Sequence, residues 1–177
     1  MSTDLVKLAS EPISAEHPAG TPIEDDPDFD KVDKEIGKIN SLGTRSVESL
    51  MKDSVEKDSD KKSKPQSKEN RSAPFIPDTV DWSEVVRLGQ VILTQKSKNL
   101  LVASYFCMGL FQKQGYSGLS TGLEIYINLL DHFWETLYPE RIKGRLRAVE
   151  WLSERVAPAI AMKEPATDEA KAVQACV

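Results

Sequence analysis

Apolar residues recur at helical spacing throughout residues 81–156, and this pattern predicts four consecutive helices. The predicted breaks between them are Lys98, the glycine-containing stretch 115–118 and Pro139. Because a proline disfavours the helical conformation of the residue before it, the third helix must end near Tyr138. The four predicted starts are Asp81, with Glu84 in capping-box position, and the neighbourhoods of Lys98, Leu119 and Gly144.

The aromatic residues of this block are predicted to form its core. Phe133 and Leu137 share one helical stripe, and Trp134 and Tyr138 share the next. Burial of Trp134 would make its replacement by alanine cost about 3–5 kcal/mol. The fourth helix should end at Pro158, and its predicted core residues are Leu146, Val149, Leu152 and Val156.

The first half of the chain predicts less helix. Residues 11–27 contain four prolines, so an extended, turn-rich segment is expected there. A helix should follow from about Asp28 to a stop at Gly43, with one apolar face formed by Phe29, Val32, Ile36 and Ile39. Residues 52–70 are almost entirely polar and charged, which predicts a disordered loop.

These segments predict one all-α domain, a compact antiparallel helical bundle. Its expected organisation is an extended segment at 1–27, a first helix at 28–43, a flexible charged loop at 44–80, the main helical block at 81–160, and a linker or tail at 161–177.

Composition narrows the class of protein. The mean hydropathy is −0.39 and no apolar run approaches the ~20 residues of a membrane span, so no membrane insertion is predicted. The first residues do not have the pattern of a secretory signal. Two cysteines predict a reducing compartment, by default the cytoplasm. The net charge of −5 equals that of residues 24–35 alone, so no basic field for nucleic acid is expected.

Two groups of residues have features of a metal site. Asp26, Asp28 and Asp30 alternate like the start of a calcium loop, but the glycine and glutamate that an EF-hand needs at its sixth and twelfth positions are absent. We therefore interpret the acids as complementing the dipole of a helix start.

The second candidate lies on the third helix. His132 and Glu135 can share a face, with Asp131 beside them and Glu124 earlier on the helix, as in metal-binding bundles. Such a site needs a matching second helix, and the other histidine, His17, lies in the proline-rich segment. We therefore expect no metal site, and His132 is interpreted as a surface or structural histidine.

Nucleophilic and phosphate-binding patterns are also incomplete. Cys107 is expected to be buried and inert, and the serines Ser117 and Ser120 lack the setting of a nucleophile elbow. The glycines that follow Phe111 do not continue into a phosphate loop. Arg141, Lys143, Arg145 and Arg147 form a basic cluster, interpreted as a solvated face or as partners of nearby acids. No catalytic residue, cofactor site or bound cofactor is predicted.

The order of short motifs along the chain resembles the N-terminal domain of the TssA family, also called ImpA, of bacterial type VI secretion. The resemblance covers about residues 11–160. The motifs are Pro12-Ile13, Pro18-Ala19-Gly20, Asp25-Asp26 with Phe29, Asp81-Trp82, Ser97-Lys98-Asn99-Leu100, Gly115-Tyr116-Ser117-Gly118-Leu119, Gly122-Leu123, Phe133-Trp134-Glu135 with Tyr138-Pro139, and Arg147-Ala148 with Trp151-Leu152. One departure is at Asn99 and Leu101, where the family usually has S-K-D-L-R, and it is expected to remove a local ion pair.

The resemblance implies a non-enzymatic component of the type VI secretion system that acts by protein–protein contact in baseplate and tail-sheath assembly. The implied partners are baseplate, sheath and tube proteins, in the cytoplasm. Family members continue into further domains, so we expect a fragment or a shortened relative, with oligomerisation mainly through a C-terminal region. The alternative hypothesis is a metal-dependent helical-bundle enzyme using His132, Glu135 and Glu124.

Overall fold

The computed structural model describes residues 5–7, 10–52 and 80–163. Residues 5–7 are helical, although an extended segment is predicted there, and four longer α-helices follow. They are α1, Pro27–Lys52, α2, Trp82–Val91, α3, Leu100–Phe133, and α4, Ile142–Met162. A π-helical turn, Ile92–Lys96, continues α2. The described ranges hold isolated β-bridges but no strand, which confirms the all-α prediction. Most of the predicted charged loop and nearly all of the predicted tail lie outside the described residues.

Helix α1 begins where the sequence predicts it. The Asp26 carboxylate accepts hydrogen bonds from the backbone N–H groups of Asp28 (2.9 Å) and Phe29 (3.3 Å), and so caps the helix. On the predicted apolar face, Val32 and Ile36 are fully buried. The predicted stop at Gly43 is wrong, since the helix continues to Lys52. A glycine inside a helix costs only about 1 kcal/mol relative to alanine, and so does not by itself end one.

Helix α2 has the predicted N-cap but not the full capping box. The Asp81 carboxylate accepts from the N–H groups of Ser83 (3.0 Å) and Glu84 (3.1 Å). The reciprocal acceptor is Glu35 of α1, whose Oε2 accepts from the Asp81 N–H at 3.0 Å. Glu84 pairs with Arg87 instead. The cap therefore connects α1 to α2.

Helix α3 is the centre of the bundle. Every residue from Val102 to Phe111 is buried, as expected for a helix that is enclosed on all sides. Asn99 caps it by accepting from the N–H groups of Leu101 (3.0 Å) and Val102 (3.4 Å), so asparagine serves as the N-cap at this position. The predicted break is confirmed at Gly115, whose φ of 65° is in the left-handed region. There, α3 divides into two helical halves.

Helix α4 packs against α3 and is longer than predicted, because Pro158 does not end it. A proline removes one helical hydrogen bond, but Val156 and Ala159 on either side are buried against the core. The Tyr116 hydroxyl donates to the Lys163 carbonyl at 2.8 Å and anchors the helix end. Leu152 and Val156 are buried as predicted. The prediction is wrong for Leu146 and Val149, which are 54% and 45% exposed.

Three extended segments meet at the start of α3 and bring distant parts of the chain together. The Lys98 N–H donates to the Ala19 carbonyl at 2.7 Å, and the Lys98 carbonyl accepts from the Tyr138 N–H at 3.0 Å. Gly20 has φ 79°, and a β-carbon there would lie 2.0 Å from the Lys96 carbonyl oxygen. Only glycine fits this approach. The contact fixes the proline-rich segment beside the connector between α3 and α4.

Candidate protein-interaction surface

The connector between α3 and α4, residues 134–141, is held by one buried arginine. Arg145 is 6% exposed and donates to three backbone carbonyls: Nε to Pro139 (2.8 Å), Nη1 to Trp134 (2.6 Å) and Nη2 to Leu137 (2.6 Å). A planar guanidinium can serve three acceptors at once because its donors point in different directions. Arg145 thereby gives hydrogen-bond partners to three backbone carbonyls of the connector.

This arrangement corrects the interpretation of the basic cluster. Arg141, Lys143 and Arg147 are exposed, as expected, but Arg145 belongs to the interior. Sequence reasoning missed this role, although a signal was present. Arg145 falls on the same helical face as Ala148 and Leu152, which are both buried.

Lys98 is a second buried cation in the same region. Its side chain is fully enclosed, its Nζ donates to the Leu93 carbonyl at 2.8 Å, and the ammonium lies 5.3 Å from the centre of the Phe133 ring. Burial lowers the pKa of Lys98 to about 8. Lys98 thus contacts the π-helical turn through the Leu93 carbonyl and the end of α3 through the Phe133 ring.

An open cleft of about 430 Å³ lies between the proline-rich segment and the connector. Glu16 and His17 line one side, Glu135 and Glu140 line the other, and Arg145 is also part of the wall. The three glutamates are exposed, whereas the arginine's donors are directed at backbone carbonyls. The cleft therefore presents carboxylates to solvent and is suited to a cationic group.

Tyr138 also lines the cleft, at the cis peptide bond that precedes Pro139. Partial burial, together with the nearby carboxylates of Glu140 and Glu24, raises the pKa of the Tyr138 hydroxyl. Like any tyrosine hydroxyl, it is protonated at neutral pH, and it is available as a hydrogen-bond donor.

Trp134 is not the core residue that the sequence predicts. Its side chain is 45% exposed, and its ring lies 4.8 Å from the Arg145 guanidinium carbon. The prediction is wrong because α3 ends at Phe133, so the helical stripe does not extend as far as Trp134. By contrast, Trp151 packs edge-on against Tyr105 at 4.7 Å, and Trp82 packs against the core.

The residues of the metal hypothesis do not assemble. His132, Glu135 and Glu124 are all exposed, and the His132 Nδ1 lies 2.9 Å from the Asn128 carbonyl oxygen, one turn back on its own helix. Among the side chains that the structure describes, in residues 5–7, 10–39 and 80–163, no three of His, Cys, Asp or Glu are grouped so that they could hold a metal ion. Glu135 contributes instead to the cleft.

The acids near the start of α1 have a structural role. The Lys96 ammonium lies 2.8 Å from each Asp26 carboxylate oxygen and 2.7 Å from Asp28 Oδ2. The hydrogen bond from Lys96 lowers the pKa of Asp28, and it also helps to lower that of Asp26 against the opposing effect of burial. Asp30 is exposed. These contacts connect α1 to the π-helical turn.

Two further expectations concern Cys107 and membrane insertion. Cys107 is fully buried in α3, as predicted. None of the helices in the described ranges combines the length and the apolar character of a membrane span.

Comparison with known proteins gives the family. Residues 10–154 match the family described as ImpA, N-terminal, type VI secretion system. No curated protein matches the chain. A solved structure of similar fold is the N-terminal domain, including the conserved ImpA_N region, of the TssA component of the type VI secretion system from Burkholderia cenocepacia. It has a TM-score of 0.58 and 22% identity, and the match covers 86% of this chain and 47% of that one. Since the family match spans most of the sequence, the chain belongs to the ImpA N-terminal family of the type VI secretion system.

Proposed function

We propose that the chain is a non-enzymatic assembly domain of the type VI secretion system, which acts in the cytoplasm by protein–protein contact during baseplate and tail-sheath assembly. Its proposed partners are baseplate, sheath and tube proteins. Family membership supports a role in this secretion system. The contact role is supported by the connector, whose backbone is held from inside by Arg145 while Trp134 and the glutamates face outward.

The observation that carries the proposal is the acid-lined cleft with Trp134 next to it. The cleft is formed by irregular segments that a rigid helical core positions, which is how binding surfaces are commonly built. A half-exposed tryptophan offers a large apolar contact, and tryptophan is enriched among residues that dominate binding energy. We therefore propose that a partner inserts a lysine or arginine between Glu16, Glu135 and Glu140 and packs an apolar group on Trp134.

The proposal is tested by pull-down of the separately purified baseplate, sheath and tube proteins with the chain. Wild type should retain at least one of them. Glu135→Lys reverses one charge of the cleft and should reduce retention by about tenfold or more, in the range of a close charge pair. Trp134→Ala should reduce retention while the chain stays folded.

The matched control is Glu124→Lys. Glu124 is exposed on α3, whereas Glu135 lies in the connector just after the end of that helix, and Glu124 does not line the cleft. Retention should therefore be unchanged in this variant. Equal loss in both charge variants would mean that only overall charge matters, and no retention of any component by wild type would overturn the proposal.

A further inference from the structure

Helix α4 carries a second apolar row that faces solvent. Ile142, Leu146, Val149 and Ile160 are 54%, 54%, 45% and 37% exposed. They follow each other at steps of four and three residues, from the first turn of α4 to the last, if the polar Ser153 and the buried Val156 are counted as the positions between Val149 and Ile160. This spacing is that of the contact row of a two-stranded coiled coil.

The row is distinct from the face that α4 uses within the chain. Arg145, Ala148, Leu152 and Ala159 are buried against the domain, and Val156 lies at the boundary between the two rows. Scattered exposed apolar residues are ordinary on protein surfaces, but Ile142, Leu146 and Val149 lie on successive turns of one helix and form a continuous apolar patch. The row therefore has the form of an unoccupied helix–helix contact.

The charges beside the row change sign along the helix. The exposed cations Arg141, Lys143 and Arg147 lie in its first half, and the exposed acids Glu150 and Glu154 lie in its second half. The second half also holds the partly buried Arg155, which pairs with Glu154 at 3.5 Å. An identical helix running in the opposite direction would place its acidic half beside this basic half. The pattern is thus complementary to itself under two-fold rotation, as a contact between two copies requires.

We propose that two copies of this chain associate through α4, antiparallel and about a two-fold axis near residues 147 and 148. In this register Leu146 of one copy faces Val149 of the other, and Ile142 faces Ser153. The register also places Lys143 beside Glu150 of the second copy, and the axis repeats this pair. The four central apolar side chains provide the attraction, and the two charge pairs fix the register.

This association is independent of the cleft and of any secretion partner. It adds a contact in the N-terminal domain to the oligomerisation that the family resemblance implies for other parts of the protein. None of the glutamates proposed for partner binding lies in the row.

Sedimentation and light scattering of the purified chain at concentrations up to about 100 µM test the proposal. The mass should rise with concentration from that of one copy to that of two. Leu146→Glu should hold the mass at one copy. Ile127→Glu is the matched control, since Ile127 is 56% exposed on α3 outside the row, and should associate like wild type.

A charge exchange tests the register. Lys143→Glu and Glu150→Lys should each weaken association by about tenfold, and the double variant should restore it because both pairs are re-formed with exchanged signs. Circular dichroism should show that every variant is folded. A wild type that remains a single copy at all concentrations overturns the proposal and leaves the row to a different protein. Association that survives Leu146→Glu, or single charge variants that the double variant does not rescue, also overturns it.

Discussion

Replacement of Arg145 should destabilise the fold more than replacement of any other charged residue of α4. Arg145→Met retains the length and the apolar stem of the side chain but removes the donors to the carbonyls of Trp134, Leu137 and Pro139. The contact with Leu137 is fully buried, and an unsatisfied buried acceptor costs about 1–3 kcal/mol. The other two carbonyls are partly buried and can bind water, at about 1 kcal/mol each.

The expected total is therefore about 3–5 kcal/mol in the free energy of unfolding, below the simple sum for three charged hydrogen bonds. Arg145→Lys should recover only part of this, because a single ammonium cannot reach three carbonyls that lie in different directions. The assay is urea denaturation followed by tryptophan fluorescence and circular dichroism, with the slope compared between variants.

Arg147→Met is the control, since Arg147 is exposed two residues later, and it should change stability by no more than about 0.5 kcal/mol. If Arg145→Met and Arg147→Met were equally mild, the hydrogen bonds to the connector would contribute nothing to the fold. The account of how the connector is held would then be refuted.

Three further predictions concern single positions and use the same denaturation assay. Trp134→Ala should cost only about 1–2 kcal/mol and the neighbouring Phe133→Ala about 3–5, because Phe133 is 6% exposed; equal costs would show that the tryptophan is buried. Gly20→Ala should cost about 2 kcal/mol or more, since it combines a left-handed backbone with a clash at the Lys96 carbonyl, and a neutral result would remove the contact between the proline-rich segment and α3. The pKa of Lys98 is about 8 in the folded state and about 10.4 in the unfolded chain, so folding releases a proton when the pH lies between these two values. The free energy of unfolding should therefore rise by up to about 2 kcal/mol from pH 8 to pH 10. A Lys98→Met variant that showed the same rise would contradict this.

The helices were predictable because their signals are local. The apolar spacing of Val32 and Ile36 on α1, the Asp81 cap and the break at Gly115 each depend on residues within one or two turns, and all three are present in the structure. Such patterns are determined by backbone geometry and do not require knowledge of what packs against the helix.

The choice between neighbouring faces of α4 was not predictable. Leu146 and Val149 are as apolar as Leu152, and periodicity alone does not tell which row meets α3. That choice depends on the position and direction in which the connector lets α4 begin. The hydrogen bonds from Arg145 to Trp134 and Leu137 help to determine both. Charged residues are usually exposed, so sequence reasoning assigns Arg145 to the solvent-facing side and does not predict a buried arginine on the inward face.

The cleft was not predictable from the sequence, because its two sides are more than a hundred residues apart along the chain. Glu16 and Glu135 become neighbours only because the backbone of Ala19 and Gly20 meets the segment before α3, while Tyr138 meets the same segment from the other side. The glycine of the Pro-Ala-Gly motif is visible in the sequence, but its contact with Lys96 is not.

The central claim is that the domain binds its partner through the cleft. An assay of sheath assembly in living cells tests this claim most directly. The gene would be replaced by variants carrying Glu135→Lys or Glu124→Lys, and sheath assembly would be followed by fluorescence microscopy at matched protein levels. The account predicts that sheaths fail to assemble with Glu135→Lys and assemble normally with Glu124→Lys. Normal assembly with both variants would contradict it.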